Sequence, residues 1–153
     1  MPLALYRNIN DHSSLAIWQI TEEPEELFEH LPESDRKSLK SQHQKSKSEF
    51  AASRIMVKML CEKSSQDYQG ITKDEFDKPH LVGLNSHISI SHSYPYAGAM
   101  IHELHPCGMD IEQIREKVMA ISQKFVNEQE KRWVGDDINR LITVWSAKET
   151  LYK

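Results

Sequence analysis

The chain has 153 residues and a mass of 17.8 kDa, a length typical of one compact domain. Its residues are 39% hydrophobic and 27% charged, which argues against a disordered or fibrous protein. A formal net charge of -4 argues against a general nucleic-acid binder, and no apolar run is long enough to span a membrane. Two cysteines are too few for a disulfide framework and no secretory signal is visible, so we expect a cytoplasmic, reduced protein.

Hydrophobic spacing predicts three elements in the first half of the chain. The short apolar run at residues 15–20 predicts a strand. Residues 25–31 predict a short helix, because Pro24 is tolerated in a first helical turn. Residues 47–63 carry apolar side chains at helical spacings and predict a longer helix with one apolar face.

The second half of the chain predicts a hairpin, a strand and two helices. Alternating residues at 87–91 and 97–101 flank a Tyr-Pro-Tyr turn and predict paired strands. Residues 108–112 are a further strand candidate. A capping box at 127–130 predicts the start of a helix, and 136–153 predicts a terminal helix with broad apolar coverage.

Charge is distributed unevenly in the first half of the chain. Residues 21–35 carry seven acidic side chains and no lysine or arginine, whereas residues 36–63 carry eight basic side chains against two glutamates. A basic block inside an acidic protein predicts a local anion site, although most such side chains form an ordinary solvated helix face. The basic residues are Arg36, Lys37, Lys40, Lys45, Lys47, Arg54, Lys58 and Lys63.

Acidic residues near the end of the chain suggest a metal site. Asp110 and Glu112 are two apart on a predicted strand, so their side chains leave the same face and need a cation such as Mg²⁺ between them. The pair alone is a weak signal, because exposed acidic pairs are common on strands. Trp145, Glu149 and Lys153 share one helix face, so Glu149 can add a third carboxylate and Lys153 can meet a phosphate. The alternative is a solvated Glu-to-Lys pair.

Hydroxyl, imidazole and lysine side chains upstream form a candidate phosphate site. Ser91 and His92 lie at the end of a predicted strand, and Lys78 precedes them by about a dozen residues. The histidine and cysteine spacing does not fit a zinc site. A serine nucleophile is excluded as well, because Ser91 and His92 are adjacent and lack a G-x-S-x-G context.

Three segments in one order carry a specific resemblance. They are the S-I-S-H-S run at 89–93, the G-M-D-I-E run at 108–112 and the W-S-A-K-E-T-L-Y-K run at 145–153. The chain resembles the 4'-phosphopantetheinyl transferase superfamily, whose signature is G-x-D-x-E followed by W-x-x-K-E-x-x-x-K. Lys78-Pro79 is similar to the family's G-K-P segment, and residues 49–54 and 125–130 are similar to two further segments.

The position of the first motif distinguishes the subtypes of this family. It follows 107 residues, which resembles the surfactin-synthetase-activating type rather than the short holo-acyl-carrier-protein synthase type. That resemblance implies an α+β fold of two pseudo-symmetric α/β halves with the active site between them. Residues 1–102 would form the half that binds the CoA phosphates, and residues 103–153 would begin the metal-binding half.

The resemblance also implies a reaction. Such enzymes transfer the 4'-phosphopantetheine group from coenzyme A to a serine of an acyl or peptidyl carrier protein and release 3',5'-ADP. The residues that would hold Mg²⁺ are Asp110, Glu112 and Glu149. Either Glu149 or Glu130 would accept the serine proton, and Lys153, with Lys148 beside it, would lie near the leaving phosphate. The residues that would bind the CoA phosphates are Lys45, Arg54, Lys78, Ser91 and His92.

Family members continue for some tens of residues beyond the second motif, and this chain ends at Lys153. A complete member is a monomeric pseudo-dimer, and we expect a truncated chain to self-associate through the exposed apolar surface of helix 136–153. One alternative is a non-catalytic remnant that binds CoA or a carrier protein. Another is a metal-dependent phosphodiesterase or nuclease, which the acidic charge and the Ser-His segment disfavour. The carrier's pathway, whether fatty-acid, polyketide or peptide synthesis, is left open.

Overall fold

A four-stranded antiparallel sheet and a long helix form the first part of the protein. The computed structural model describes residues 3–39 and 43–153, so Lys40 of the basic block lies outside the described residues. The strands in chain order are β1 (Leu3–Asn10), β2 (Ser13–Gln19), β3 (Ile71–Lys73), β4 (Pro79–Leu81), β5 (His87–Ser93) and β6 (Tyr96–His102). The main sheet has the order β1-β2-β6-β5, and β3 and β4 form a separate two-stranded hairpin.

Six α-helices complete the described structure. They are α1 (Pro24–Glu29), α2 (Glu33–Ser38), α3 (Gln44–Lys63), α4 (Lys117–Ile121), α5 (Glu128–Val134) and α6 (Ile138–Tyr152). A short 3-10 turn over Ser122–Lys124 follows α4 directly. No helix in the described ranges is both long and apolar enough to cross a bilayer.

The main core lies between α3 and one face of the sheet. Small residues line the contact, with Ala51 and Ala52 on α3 facing a sheet that presents Ala97 and Ala99, and all four are fully buried. These small side chains allow the helix to approach the strands closely. Larger side chains fill the space around them, and seventeen apolar residues are buried in this one cluster.

A much smaller core holds the helices that follow the sheet. It contains four buried apolar residues, which are Val118, Val126, Val134 and Leu141. Trp145 packs edge-on against Phe125, with the ring centroids 4.9 Å apart, and closes one side. The end of α6 leaves this core, because Leu151 and Tyr152 are 87% and 91% exposed. Most of the apolar surface expected to be exposed on this helix is covered, because Leu141 is buried and Ile138, Ile142 and Trp145 pack against the same core. Only the end of the helix is exposed, and self-association stays a prediction.

Most helices and strands predicted from a regular spacing of hydrophobic residues are confirmed. The run 15–20 overlaps β2, which ends at Gln19, and 25–31 overlaps α1, which ends at Glu29. The range 47–63 lies within α3, and the hairpin pairs β5 with β6 in antiparallel register. The capping box is confirmed at the start of α5, where Asn127 accepts from the backbone N–H of Glu130 at 2.9 Å. The mixed architecture with its antiparallel sheet is compatible with the predicted α+β class.

The predicted strand at 108–112 is wrong. These residues form no strand, and the backbone N–H groups of Met109 and Ile111 donate to serine hydroxyls rather than to strand carbonyls. Sequence patterns also missed β1, α2, the β3–β4 hairpin and α4. Among these, β1 is an edge strand whose eight residues are almost all exposed, so it carries no clear alternation of apolar and polar positions.

Candidate active site

The segment at residues 107–112 lies between the sheet and α6. Met109 N donates to Ser89 Oγ at 3.0 Å, and Ile111 N donates to Ser91 Oγ at 3.1 Å. Both serines lie on one face of β5 because they are two residues apart in a strand. Their hydroxyls satisfy the backbone donors of the segment, so the segment is held firmly against the sheet without becoming a strand.

Two glycines allow this close packing. A side chain at Gly108 would place its Cβ 2.2 Å from the carbonyl oxygen of Thr150 on α6, so only glycine fits there without moving the helix. Gly98 on β6 lies beneath the side chains of Met109 and Ile111, whose outer carbons would meet an added Cβ at 2.5 and 2.6 Å. The G-x-D-x-E glycine therefore lets the backbone of the segment contact the backbone of α6.

Asp110 is the most heavily bonded side chain of the site. Its carboxylate is only 3% exposed. Oδ1 accepts from Ser91 Oγ at 3.0 Å and from Lys153 Nζ at 2.5 Å, while Oδ2 accepts from Ser146 Oγ at 2.8 Å. Burial by itself raises the pKa of Asp110, but the Lys153 ammonium and the two hydroxyls outweigh it and hold the pKa below its ordinary value. Asp110 is thus kept ionised in a partly dry setting.

The other two predicted metal ligands are Glu112, which contacts α6, and Glu149, which is a residue of α6. Glu112 Oε1 accepts from Trp145 Nε1 at 3.0 Å, and its side chain is exposed. Glu149 is partly buried on α6, one turn from Trp145, which contacts Glu112, and one turn from the C-cap residue Lys153, which contacts Asp110. A cleft of about 530 Å³ runs between residues 110–112 and α6. Within the described ranges, no three His, Cys, Asp or Glu side chains are grouped closely enough to hold a metal as they stand.

Glu130 and Lys148 form a tie between α5 and α6. Lys148 Nζ donates to Glu130 Oε2 at 2.7 Å and to the carbonyl oxygen of Phe125. The same Glu130 carboxylate accepts from Asn127 N at 2.8 Å. The Lys148 ammonium, followed by the Asn127 backbone, lowers the pKa of Glu130. Both residues are therefore engaged in holding the small helical core together.

His92 and Lys45 meet on the opposite face of β5. His92 points away from Ser91 because adjacent strand residues alternate faces. Its Nδ1 lies 3.3 Å from Glu49 Oε2, and Glu49 Oε1 accepts from Tyr94 N at 3.1 Å. Lys45, one turn before Glu49 on α3, places its ammonium 5.2 Å from the centre of the Tyr94 ring. Two predicted phosphate ligands thus gather around one turn.

Lys78 and Arg54 lie apart from that group. Lys78 comes just before β4, and its charge acts on the Cys107 thiol, although burial dominates and raises the pKa of Cys107 to about 11. Arg54 is only 8% exposed. Its guanidinium stacks 4.2 Å from the centre of the Phe50 ring and faces the charge of Asp35 inside the first core. The described contacts of Arg54 include no other predicted site residue.

The structure adds three residues to which the sequence assigned no specific contact. Ser89, named only as one of the candidate phosphate hydroxyls, anchors the motif segment, Ser146 bonds Asp110, and Glu49 lies 3.3 Å from His92. Ser146 carried a signal, since it is the x residue directly after the motif tryptophan on α6. Glu49 begins the segment 49–54 that resembles a family segment, but nothing in that segment points to a contact with His92.

A comparison with curated proteins gives a partial match. Over 86 aligned residues, the chain is 33% identical to the 4'-phosphopantetheinyl transferase gsp of Aneurinibacillus migulanus. The alignment covers 53% of this chain and 35% of that protein, so the chain spans about a third of the relative's length. No protein-family profile matches the chain. The chain is thus similar, over about half of its length, to part of one 4'-phosphopantetheinyl transferase.

Proposed function

We propose that this protein is a Mg²⁺-dependent transferase that moves the 4'-phosphopantetheine group of coenzyme A to a serine of a carrier protein and releases 3',5'-ADP. The observation that carries the proposal is the contact between two motifs far apart in the chain, in which Lys153 of α6 donates to the buried Asp110. The similarity to a curated phosphopantetheinyl transferase supports the same conclusion. On this proposal, residues 1–102 and 103–153 belong to two pseudo-symmetric halves.

The carboxylates proposed for Mg²⁺ have the chemistry that this ion requires. Asp110 and Glu112 line the cleft, Glu149 lies on α6, which forms one side of it, and all three offer hard carboxylate oxygens. Lys153 already provides a cation to Asp110, so the ion and this ammonium would compete for the same carboxylate. When bound, Mg²⁺ supplies charge neutralisation for the pyrophosphate of CoA during phosphoryl transfer.

Three side chains are proposed to act in proton transfer and charge stabilisation. We assign Glu149 as the base that accepts the serine proton. Glu130 is a poor base, because Lys148 and Asn127 hold its carboxylate and its pKa is lowered. Lys148 then positions α6 through Glu130. Lys153, released from Asp110, lies near the leaving phosphate and stabilises its charge.

The proposed phosphate ligands lie on both faces of the edge strand β5. His92 and Lys45 on the α3 side are proposed to bind the 3'-phosphate. On the other side the buried Ser91 hydroxyl donates to Asp110 and accepts from Ile111 N and Lys153 Nζ, so its proposed contact with the pyrophosphate requires release of Lys153. Lys78, near Cys107, extends the basic surface toward the other end of β5. The buried contacts of Arg54 favour a role in the core beneath this surface.

A transfer assay tests the proposal. The full chain is incubated with fluorescent CoA, Mg²⁺ and a panel of acyl and peptidyl carrier proteins. We expect labelled carrier with the wild-type chain, none with Asp110→Ala, and unchanged transfer with the matched control Asp136→Ala, whose side chain is exposed before α6. Near-normal transfer by Asp110→Ala would overturn the assignment. CoA binding without transfer to any carrier would support a binding remnant instead.

A further inference from the structure

We infer that Glu49 is a positioning residue for the anion site: its carboxylate fixes the ring of His92 so that Nε2 faces outward toward the 3'-phosphate of CoA. This inference rests on the proposed function. Glu49 is not among the residues that the sequence motifs assign to phosphate, metal or proton transfer.

The geometry of Glu49 fits a residue that holds others. Its side chain is 14% exposed, whereas the His92 side chain is 51% exposed. One oxygen lies 3.3 Å from His92 Nδ1 and the other accepts from Tyr94 N at 3.1 Å. Both the Glu49 carboxylate beside Nδ1 and a phosphate at Nε2 can only accept, so the ring that binds the phosphate carries a proton on each nitrogen and the carboxylate stabilises its positive charge.

The position of this carboxylate requires an explanation, because an anion near a phosphate site weakens binding. Lys45 lies one turn away on α3 and points to the same turn of the sheet, so a negative charge here opposes the basic character of the surface. The Tyr94 N–H and the His92 ring cover both oxygens of Glu49. A phosphate at Nε2 therefore meets the imidazole first, with the carboxylate behind it.

The same contacts connect α3 to the turn between β5 and β6. Glu49 bonds the backbone of Tyr94, and Lys45 contacts the ring of the same residue. The cation and the positioning carboxylate are thus supplied by successive turns of one helix. A purely structural role for Glu49, as an anchor of this turn, is the competing explanation.

Calorimetric binding of CoA and of dephospho-CoA, which lacks the 3'-phosphate, separates the two explanations. We expect Glu49→Gln to weaken CoA binding about tenfold, the scale of one charge-assisted hydrogen bond, and to leave dephospho-CoA binding unchanged. In a His92→Ala background, Glu49→Gln should have no further effect on CoA affinity, because Glu49 acts through His92. The matched control is Glu62→Gln on the same helix, whose carboxylate forms an ion pair with Lys58 within one helical turn.

Two outcomes would overturn this inference. Equal weakening for both ligands, or full additivity of Glu49→Gln with His92→Ala, would show that Glu49 only anchors the turn. Failure of the proposed function has a different signature, in which the wild-type chain does not distinguish CoA from dephospho-CoA. Thermal melting of each variant confirms that the chain is folded when binding is measured.

Discussion

The first part of the protein and the second part are each stabilised by a different kind of contact. The sheet and α3 share seventeen buried apolar residues, whereas the helices after residue 103 share only four. The second part instead relies on polar ties, which run from Asp110 to Ser146 and Lys153 and from Glu130 to Lys148. The residues proposed for catalysis are therefore also those that hold the second part in place. Changes at the site should affect the local stability of this part and leave the first core intact.

Replacing Gly108 with alanine should have the largest effect. The added Cβ would lie 2.2 Å from the Thr150 carbonyl, and a backbone atom cannot move aside without shifting α6. We expect a loss of about 3 kcal/mol in the stability of the second part, seen as faster hydrogen exchange in α6 with β2 and α3 still protected. The comparison variant is Gly98→Ala, which meets the flexible ends of Met109 and Ile111 and should cost less. Equal protection of α6 in wild type and Gly108→Ala would contradict this packing.

Removing the cation beside Asp110 should have an intermediate effect. Lys153→Met leaves the nearly buried Asp110 carboxylate with hydroxyl partners only. We expect a loss of about 2 kcal/mol in the stability of the second part, less than for a fully buried pair because Lys153 is 29% exposed. Adding Asp110→Asn to Lys153→Met should recover most of this loss in a denaturation series. Additive losses from the two substitutions would show that the ion pair does not form.

The smallest expected effect is that of pH. Acid should destabilise the second part of the protein before the first part. Asp110 and Glu130 have lowered pKa values, so the stability they provide is present above the ordinary carboxyl pKa of about 4 and is lost as pH falls through their folded values. Burial raises the pKa of Asp35 in the first part, so protonation there removes no stabilisation. Hydrogen exchange toward about pH 3 should therefore show α6 losing protection before α3. Simultaneous loss in both helices would contradict this difference.

The strongest local patterns predicted the fold well, and long-range contacts account for what they missed. The helix α3 and the alternating strands of the β5–β6 hairpin were predicted correctly as elements, but the predicted single apolar face of α3 is wrong, because residues 51–57 are all buried. Residues 108–112 have the same alternation, but serine hydroxyls replace strand carbonyls as their acceptors, and no pattern within the segment reveals that exchange.

The sequence predicted some residues of the candidate site and not the contacts between them. The motif residues Asp110 and Lys153 could be named from sequence, and the structure brings them into contact. Their partners could not be named, since Ser146 and Glu49 acquire a role only when separate elements pack together. The buried setting of Arg54 was also missed, because a basic block in a sequence does not show which of its side chains turn inward.

The central claim is that Asp110 and its polar partners form the Mg²⁺-dependent CoA site. Calorimetric measurement of CoA binding with and without Mg²⁺ tests this claim most directly. Wild-type protein should bind CoA at least about tenfold more tightly when Mg²⁺ is present, which corresponds to about 1.4 kcal/mol. The Asp110→Asn variant should bind CoA as tightly as the wild type without Mg²⁺, and adding Mg²⁺ should not increase its affinity. CoA binding that is equally tight with and without Mg²⁺, or a gain that survives in Asp110→Asn, would contradict the account.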